Sequence, residues 1–202
     1  SGIGQGYFQS TPMQLCLMTA QLANGGYEIK PRLIAGSNKE SNNLKEYIKY
    51  KNENPDSTLP LDLLVANFNL NPLFRNKENI NFVKDAMFAS TNEPGGTSYR
   101  SRLEDKKFRF AGKTGSSQVK RFTAEQRELE VKQKDLDYKD RDHALFIAFA
   151  PYDNPKYAIS VVIEHGGSGS SAAAPIAKKV IKKVLERDKL RESQASQIGK
   201  EI

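Results

Sequence analysis

Cysteine, histidine and long apolar runs are all scarce in this 202-residue chain, and each scarcity excludes some chemistry. Cys16 is the only cysteine, so no internal disulfide can form and the redox compartment is not readable from it. Its apolar, helix-patterned surroundings predict a buried small hydrophobe. His143 and His165 are far apart and have no ligand-spaced partner, so no metal site and no cofactor are expected. Structural roles at strand ends are predicted for both histidines, with His165, at the start of a loop, the closer of the two to function. No apolar run reaches the length of a membrane span, and the N-terminus lacks a signal-peptide pattern. The opening Ser1-Gly-Ile-Gly-Gln-Gly6, without methionine, reads as cut from something larger.

What is present suits one domain or a large part of one. Hydrophobic residues make up 38% of the chain, enough for a core. The low mean hydropathy of −0.63 comes from charged and Asn-rich segments. A net charge of +7 raises nucleic acid as a partner, but no RNA- or DNA-binding motif or aromatic-basic interleaving accompanies it, so no nucleic acid is expected.

Along the chain, Gly2-x-Gly4-x-Gly6 reads as a tight loop rather than a dinucleotide fingerprint, whose third glycine would fall one position later. Thr11-Pro12-Met13-Gln14 predicts a helix start with a capping box and proline at the first position. Leu15, Met18 and Leu22 form its core stripe, and Asn24-Gly25-Gly26 ends it. Tyr27–Ile34 reads as a short edge strand limited by Pro31. Residues 35–75 and 120–141 are polar and read as surface excursions, the second as a solvated helix with pairs such as Glu128–Lys132 and Glu130–Lys134. A helix is predicted over Asn79–Ser90, with Ile80, Val83 and Met87 on one stripe and Phe82 and Ala86 beside it. Ala144–Ala150 is apolar on both faces and reads as a central strand. Tyr157–Ile163 must pair antiparallel with it, since the intervening turn is too short for a crossover. A helix follows over Ala172–Leu185, buried through Ala173, Ile176, Ala177, Val180, Ile181, Val184 and Leu185, with a loose tail over 188–202. The class is α+β, an antiparallel sheet packed by helices.

The stretch that organises the rest is Lys106–Val119, predicted as a strand with Phe108 and Phe110 on one face and Arg109, Ala111 and Lys113 on the other. Gly112 and Gly115 flank Lys113 and Thr114, and glycine within a strand marks close approach by backbone or ligand. A cation and a hydroxyl between glycines, followed by Ser116 and Ser117, can receive an anion. A phosphate loop needs a glycine where Lys107 stands, and Phe108-Arg-Phe110 cannot make its turn. Lys113-Thr-Gly115 fits instead the third motif of penicillin-binding proteins and serine β-lactamases, beside Ser-x-x-Lys and Ser-x-Asn.

Further motifs share that order. Gly4-Gln-Gly-Tyr7, Thr11-Pro-Met-Gln14, Gly95-Gly-Thr97, Ala111-Gly-Lys-Thr-Gly-Ser116, Phe149-Ala-Pro-Tyr152 and Gly166-Gly167 together resemble the class B penicillin-binding proteins. Arg141-Asp-His143 is most similar to the penicillin-binding protein 2 branch of elongation transpeptidases. The resemblance covers Ser1 to about Leu185 and implies a partial transpeptidase domain of the penicillin-binding/serine β-lactamase-like fold, its C-terminal portion.

The resemblance implies serine acyl transfer in cell-wall crosslinking, with peptidoglycan stem peptides as substrates and β-lactam antibiotics as inhibitors. Carried onto this sequence, Lys113 and Thr114 would bind a terminal carboxylate and the backbone N–H of Ser116 would be an oxyanion donor. Gly115 and Ser117 would line the path of the substrate backbone. Where Ser116 stands the family commonly has threonine, which bears on fine specificity only. Ser117-Gln-Val-Lys120 matches Ser-x-x-Lys as a string, but residues three apart on a strand face opposite sides. Ser41-Asn-Asn43 and Ser90-Thr-Asn92 match Ser-x-Asn in a polar excursion and at a helix end. The nucleophile is therefore expected upstream of Ser1, leaving this chain inactive alone. The resemblance also implies membrane elongation-complex partners and a periplasmic domain anchored in the inner membrane. A D,D-carboxypeptidase or β-lactam sensor of the same fold, or a non-catalytic interaction module, are the alternative readings.

Overall fold

The computed structural model describes residues 9–31, 71–120 and 132–198, with a few positions between 31 and 71. Gly4-Gln-Gly-Tyr7, Ser41-Asn-Asn43, most of 35–75 and residues 121–131 lie outside the described residues.

Helix α1, Pro12–Ala23, starts as its sequence dictates. The Gln14 N–H donates to Thr11 Oγ1 at 3.2 Å, while the Thr11 N–H donates to Gln14 Oε1 at 2.8 Å. Gly25 and Gly26 end it at φ +93° and +89°, backbone that other residues rarely adopt. Its buried residues are Thr19, Leu22 and Ala23. Leu15 is half-buried and Met18 exposed, correcting the expected stripe: the helix lays its 19–22–23 edge on the sheet. The strand expected over 27–34 reduces to one bridge, Tyr27 with Pro72. Pro31 and Pro72 have no N–H to donate, so a ladder cannot extend there.

Helix α2, Lys77–Asn92, is capped by Asn76, whose Oδ1 accepts from the Glu78 N–H at 2.8 Å. Ile80, Met87 and Thr91 are buried, while Phe82, Val83 and Ala86 are exposed, so the buried stripe is rotated from the predicted one. Lys84 lies along that stripe, its Nζ 3.4 Å from the Ala23 carbonyl, and burial pulls its pKa down.

Three antiparallel strands follow in the order β1 (Ala111–Ser117), β2 (His143–Ala150), β3 (Tyr157–Ile163). β2 is central and apolar on both faces, as predicted. Ala144, Phe146, Ala148 and Ala150 enter one core with Phe110, and Phe149 enters the other with Leu22, Ile80, Met87 and Ala111. β1 starts at Ala111 rather than Lys106, because Asp105 caps a 3₁₀ turn at Lys106–Phe108. Phe110 and Ala111 still enter opposite cores.

A π turn at Gly169–Ala173 leads into helix α3, Ala174–Ile198. Ala173, Ala174, Ala177, Ile181 and Leu185 are buried, but Ile176 and Val180 are exposed, a further correction to the expected stripes. The alanines bring one narrow edge of the helix onto the sheet, which turns 176 and 180 away. Past Asp188, where a loose tail was expected, the chain stays helical, and Asp188 accepts a hydrogen bond from the Tyr157 hydroxyl. Residues 133–135 and 138–140 form 3₁₀ turns; most of the segment expected to be a solvated helix lies outside the described residues. The architecture is α+β: α1 and α2 on one face of the sheet, α3 on the other.

Candidate active site

β1 is an edge strand, its outer side without a partner strand among the described residues. Its register sets Thr114 opposite Phe146 and Ser116 opposite Ala144, on the α3 face; Lys113, Gly115 and Ser117 lie on the other. The Lys113 side chain folds back over the strand. Its Nζ donates to the Thr114 carbonyl at 2.9 Å and lies 3.4 Å from Thr114 Oγ1. An ammonium and a hydroxyl from opposite faces thus meet at the open edge, both reachable by an external carboxylate.

The Thr114 hydroxyl donates to Thr97 Oγ1 at 3.2 Å. Thr97 is bonded to Ser90 Oγ at 3.1 Å, and Ser98 Oγ to the Ser90 carbonyl at 3.1 Å. Thr91 Oγ1 lies 3.3 Å from Ser98 Oγ and 3.4 Å from the Gly112 carbonyl. Asn92 Nδ2 donates to the Phe110 carbonyl at 2.9 Å and the Phe88 carbonyl at 3.0 Å, pinning the end of α2 to the start of β1. This hydroxyl chain was missed as a unit. Gly95-Gly-Thr97 was noticed as a motif and Ser90-Thr-Asn92 as a false Ser-x-Asn, yet both support the strand. Gly96 permits it, since a Cβ there would sit 2.3 Å from the Ser90 carbonyl oxygen.

Gly169 closes the strand from the α3 side. A Cβ there would stand 2.3 Å from the Leu145 carbonyl oxygen and 2.6 Å from that of Gly115. Ser116 and Ser117 are exposed at the end of the strand. Lys120 does not turn back to Ser117; it pairs with Asp140 at 2.6 Å and holds that carboxyl below its ordinary range.

Asp142 ties this rim together. It accepts from the Val119 N–H at 3.3 Å and from Gln133 Nε2 at 3.0 Å, and its carbonyl accepts from the Gly167 N–H at 2.8 Å. His143 and His165, each expected in a structural role at a strand end, meet with ring centroids 4.7 Å apart. The His165 N–H donates to His143 Nδ1 at 2.9 Å, and His165 Nδ1 lies 3.1 Å from the Arg141 carbonyl. The antiparallel β2–β3 register brings them together, a signal already readable from the hairpin. No group of His, Cys, Asp and Glu suited to a metal occurs among the described residues. Cys16 is partly buried, its thiol donating to the Ala158 carbonyl at 3.5 Å, and burial pushes its pKa up.

An antiparallel sheet between helical layers is the architecture of the penicillin-binding protein transpeptidase fold, in part. The chain belongs to the penicillin binding protein transpeptidase domain family, whose model matches residues 1–182. It is 34% identical over 180 residues to the peptidoglycan D,D-transpeptidase MrdA of Salmonella typhimurium, covering 89% of this chain and 26% of that protein. Against the MrdA of Haemophilus influenzae the identity is 36%, with 89% and 24% covered. The chain therefore spans about a quarter of the length of these relatives. Among solved structures, penicillin-binding protein PBP2 of Helicobacter pylori in complex with MreC matches at TM-score 0.62 and 27% identity, covering 91% of this chain and 26% of that one. Pseudomonas aeruginosa PBP2 in complex with WCK 5153 matches at TM-score 0.57 and 32% identity, covering 89% and 30%.

Proposed function

We propose that this chain is the carboxylate-binding part of a peptidoglycan D,D-transpeptidase, acting in cell-wall crosslinking by serine acyl transfer in the full-length protein. The observation that carries it is the meeting of Lys113 Nζ and Thr114 Oγ1 at the open edge of β1, 3.4 Å apart. A stem peptide lies along that edge as an added strand, its terminal carboxylate on Lys113 and Thr114. Gly115 admits its backbone, and Ser117 lies further along the same face. The Ser116 N–H is an oxyanion donor where charge develops on the attacked carbonyl. The nucleophilic serine and its lysine come from elsewhere in the full-length protein. β-Lactams occupy the same edge and stop at the acyl stage. The relatives' names and the MreC complex support the further reading of a periplasmic domain, anchored in the inner membrane, within an elongation complex.

The test is an adduct map. Full-length protein is treated with penicillin, digested, and the acylated serine located by mass. An adduct on a serine outside this chain is expected; one on Ser116 or Ser117 misplaces the nucleophile, and none at all favours a non-catalytic module. Lys113→Ala is expected to slow acylation about a hundredfold, in the range for removing one transition-state contact. An unchanged rate would remove Lys113 from the site.

A further inference from the structure

The histidine pair lies at the Ser117 end of β1, where the peptide is proposed to run, and acyl transfer as described above leaves it unused. The register sets His143 opposite Ser117, on the face that carries Lys113 and Gly115. A main-chain N–H can only donate, so the 2.9 Å bond from the His165 N–H fixes His143 Nδ1 as an acceptor. His143 makes this bond only as a neutral imidazole with its proton on Nε2. His165 is the reverse case. Its Nδ1 lies 3.1 Å from the Arg141 carbonyl, which can only accept, so that nitrogen holds a proton in either charge state. Protonation spares the His165 bond and abolishes the one to His143.

That bond holds a loop that bears on the strand. His165 sits at φ +53°, left-handed backbone that a residue other than glycine keeps only where its surroundings fix it. Its N–H is one tie, and the Gly167 N–H, bonded to the Asp142 carbonyl at 2.8 Å, is the next. The loop runs on through Ser168 to Gly169, which stands against the Gly115 and Leu145 carbonyls with no room for a Cβ. The charged groups around the pair are engaged elsewhere or exposed. Arg141 donates to the Leu136 and Lys134 carbonyls, Asp142 accepts from Val119 and Gln133, and Asp140 pairs with Lys120. Lys139 and Glu164 are exposed, and Tyr138 packs its ring on His165 while its hydroxyl donates to the Glu164 carbonyl. We propose that His143 is a positioning residue for the acyl transfer proposed above, on which this inference rests. As a neutral imidazole it holds the 164–168 loop, and with it Gly169, against the Gly115 end of β1; its protonation releases them.

Full-length wild type, H143N, H143L and H165N are compared by their rates of penicillin acylation at about pH 7.5 and about pH 5.5, across the region in which histidine changes charge. Asparagine puts an amide oxygen near the Nδ1 position and does not titrate. H143N should match wild type at the higher pH and exceed it about tenfold at the lower, the scale of one lost hydrogen bond. The ratio to wild type cancels the titration of the nucleophile's own groups and of penicillin. H143L, without an acceptor, should run about tenfold below wild type at the higher pH and equal it at the lower. H165N keeps the main-chain donor and suits left-handed backbone, so it should follow wild type at both. A ratio of H143N to wild type that does not change with pH overturns the proposal. So does an H165N that loses the acid dependence, which would place the titration on His165. An H143N as slow as H143L at the higher pH also overturns it, since the acceptor then restores nothing. In each of these cases the acyl-transfer reading stands; a wild type that penicillin acylates at neither pH overturns the reading and the proposal together.

Discussion

At the scale of single residues, the site depends on hydroxyl groups that carry no charge. Thr114 donates to Thr97, and Thr97 is held by Ser90, so the direction of the Thr114 hydroxyl is set by α2 rather than by β1. Thr97→Val keeps the shape of the side chain and removes the acceptor. We expect penicillin acylation of the full-length protein to fall about tenfold, consistent with the 1–1.5 kcal/mol of a lost hydrogen bond. Thr97→Ser should restore it, and a loss that serine does not restore would make Thr97 a packing residue only. A second residue reports pH. Burial, followed by the hydrogen bond to Asp85, pushes the Tyr152 phenol up to about 12 from 10.0. A raised folded pKa means stability present below the unfolded value of 10.0 and lost as pH rises through about 12. Alkaline unfolding of wild type should therefore steepen across that window, and Tyr152→Phe should flatten it; identical profiles would detach Tyr152 from the alkaline transition.

At the scale of elements, what was legible is what the chain decides locally. The α1 capping box, the glycine stop at Gly25-Gly26 and the β2–β3 hairpin depend on neighbours in sequence, and they formed where expected. The edge of each helix that meets the sheet was less legible. Met18, Val83, Ile176 and Val180 satisfy helical periodicity yet are exposed; on α3 the alanines at 173, 174 and 177 bring another edge of the helix onto the sheet. Lys113, Thr114, Gly115, Ser116 and Ser117 are proposed as site residues from the sequence because their spacing is itself the motif. Thr97, Ser90 and Ser98 could not be, since their value lies in reaching Thr114 across α2. Gly169 belongs with them: its role is the approach of the π turn to the backbone of two strands. Gly169→Ala forces Leu145 and Gly115 to move and should cost about 1–3 kcal/mol, as overpacking of a filled site does. A drop of several degrees in the Tm of the full-length protein would be the sign, and an unchanged Tm would show that the turn relaxes freely.

At the scale of the whole molecule, two layers of helix cover the sheet but its sides stay open. Both outer strands, β1 and β3, have no strand beyond them among the described residues. Phe82 is 75% exposed and Met13 57%, with Ile176 and Val180 also uncovered on α3. Unpaired edge strands recruit other strands, and apolar patches recruit other patches. β1 has Lys113 as its one charge and is otherwise rich in glycine and serine, and β3 is Tyr157-Ala-Ile-Ser-Val-Val-Ile163 without a charge or a proline. The 202-residue chain made alone should therefore self-associate, its mean mass in sedimentation rising with concentration and its melt broadening. Full-length protein should show neither behaviour if its remaining segments cover these edges. An isolated chain that stays monomeric and melts sharply would mean that α1, α2 and α3 stabilise the three strands without further cover. The β1 edge proposed to bind carboxylate would then be preformed in this chain alone.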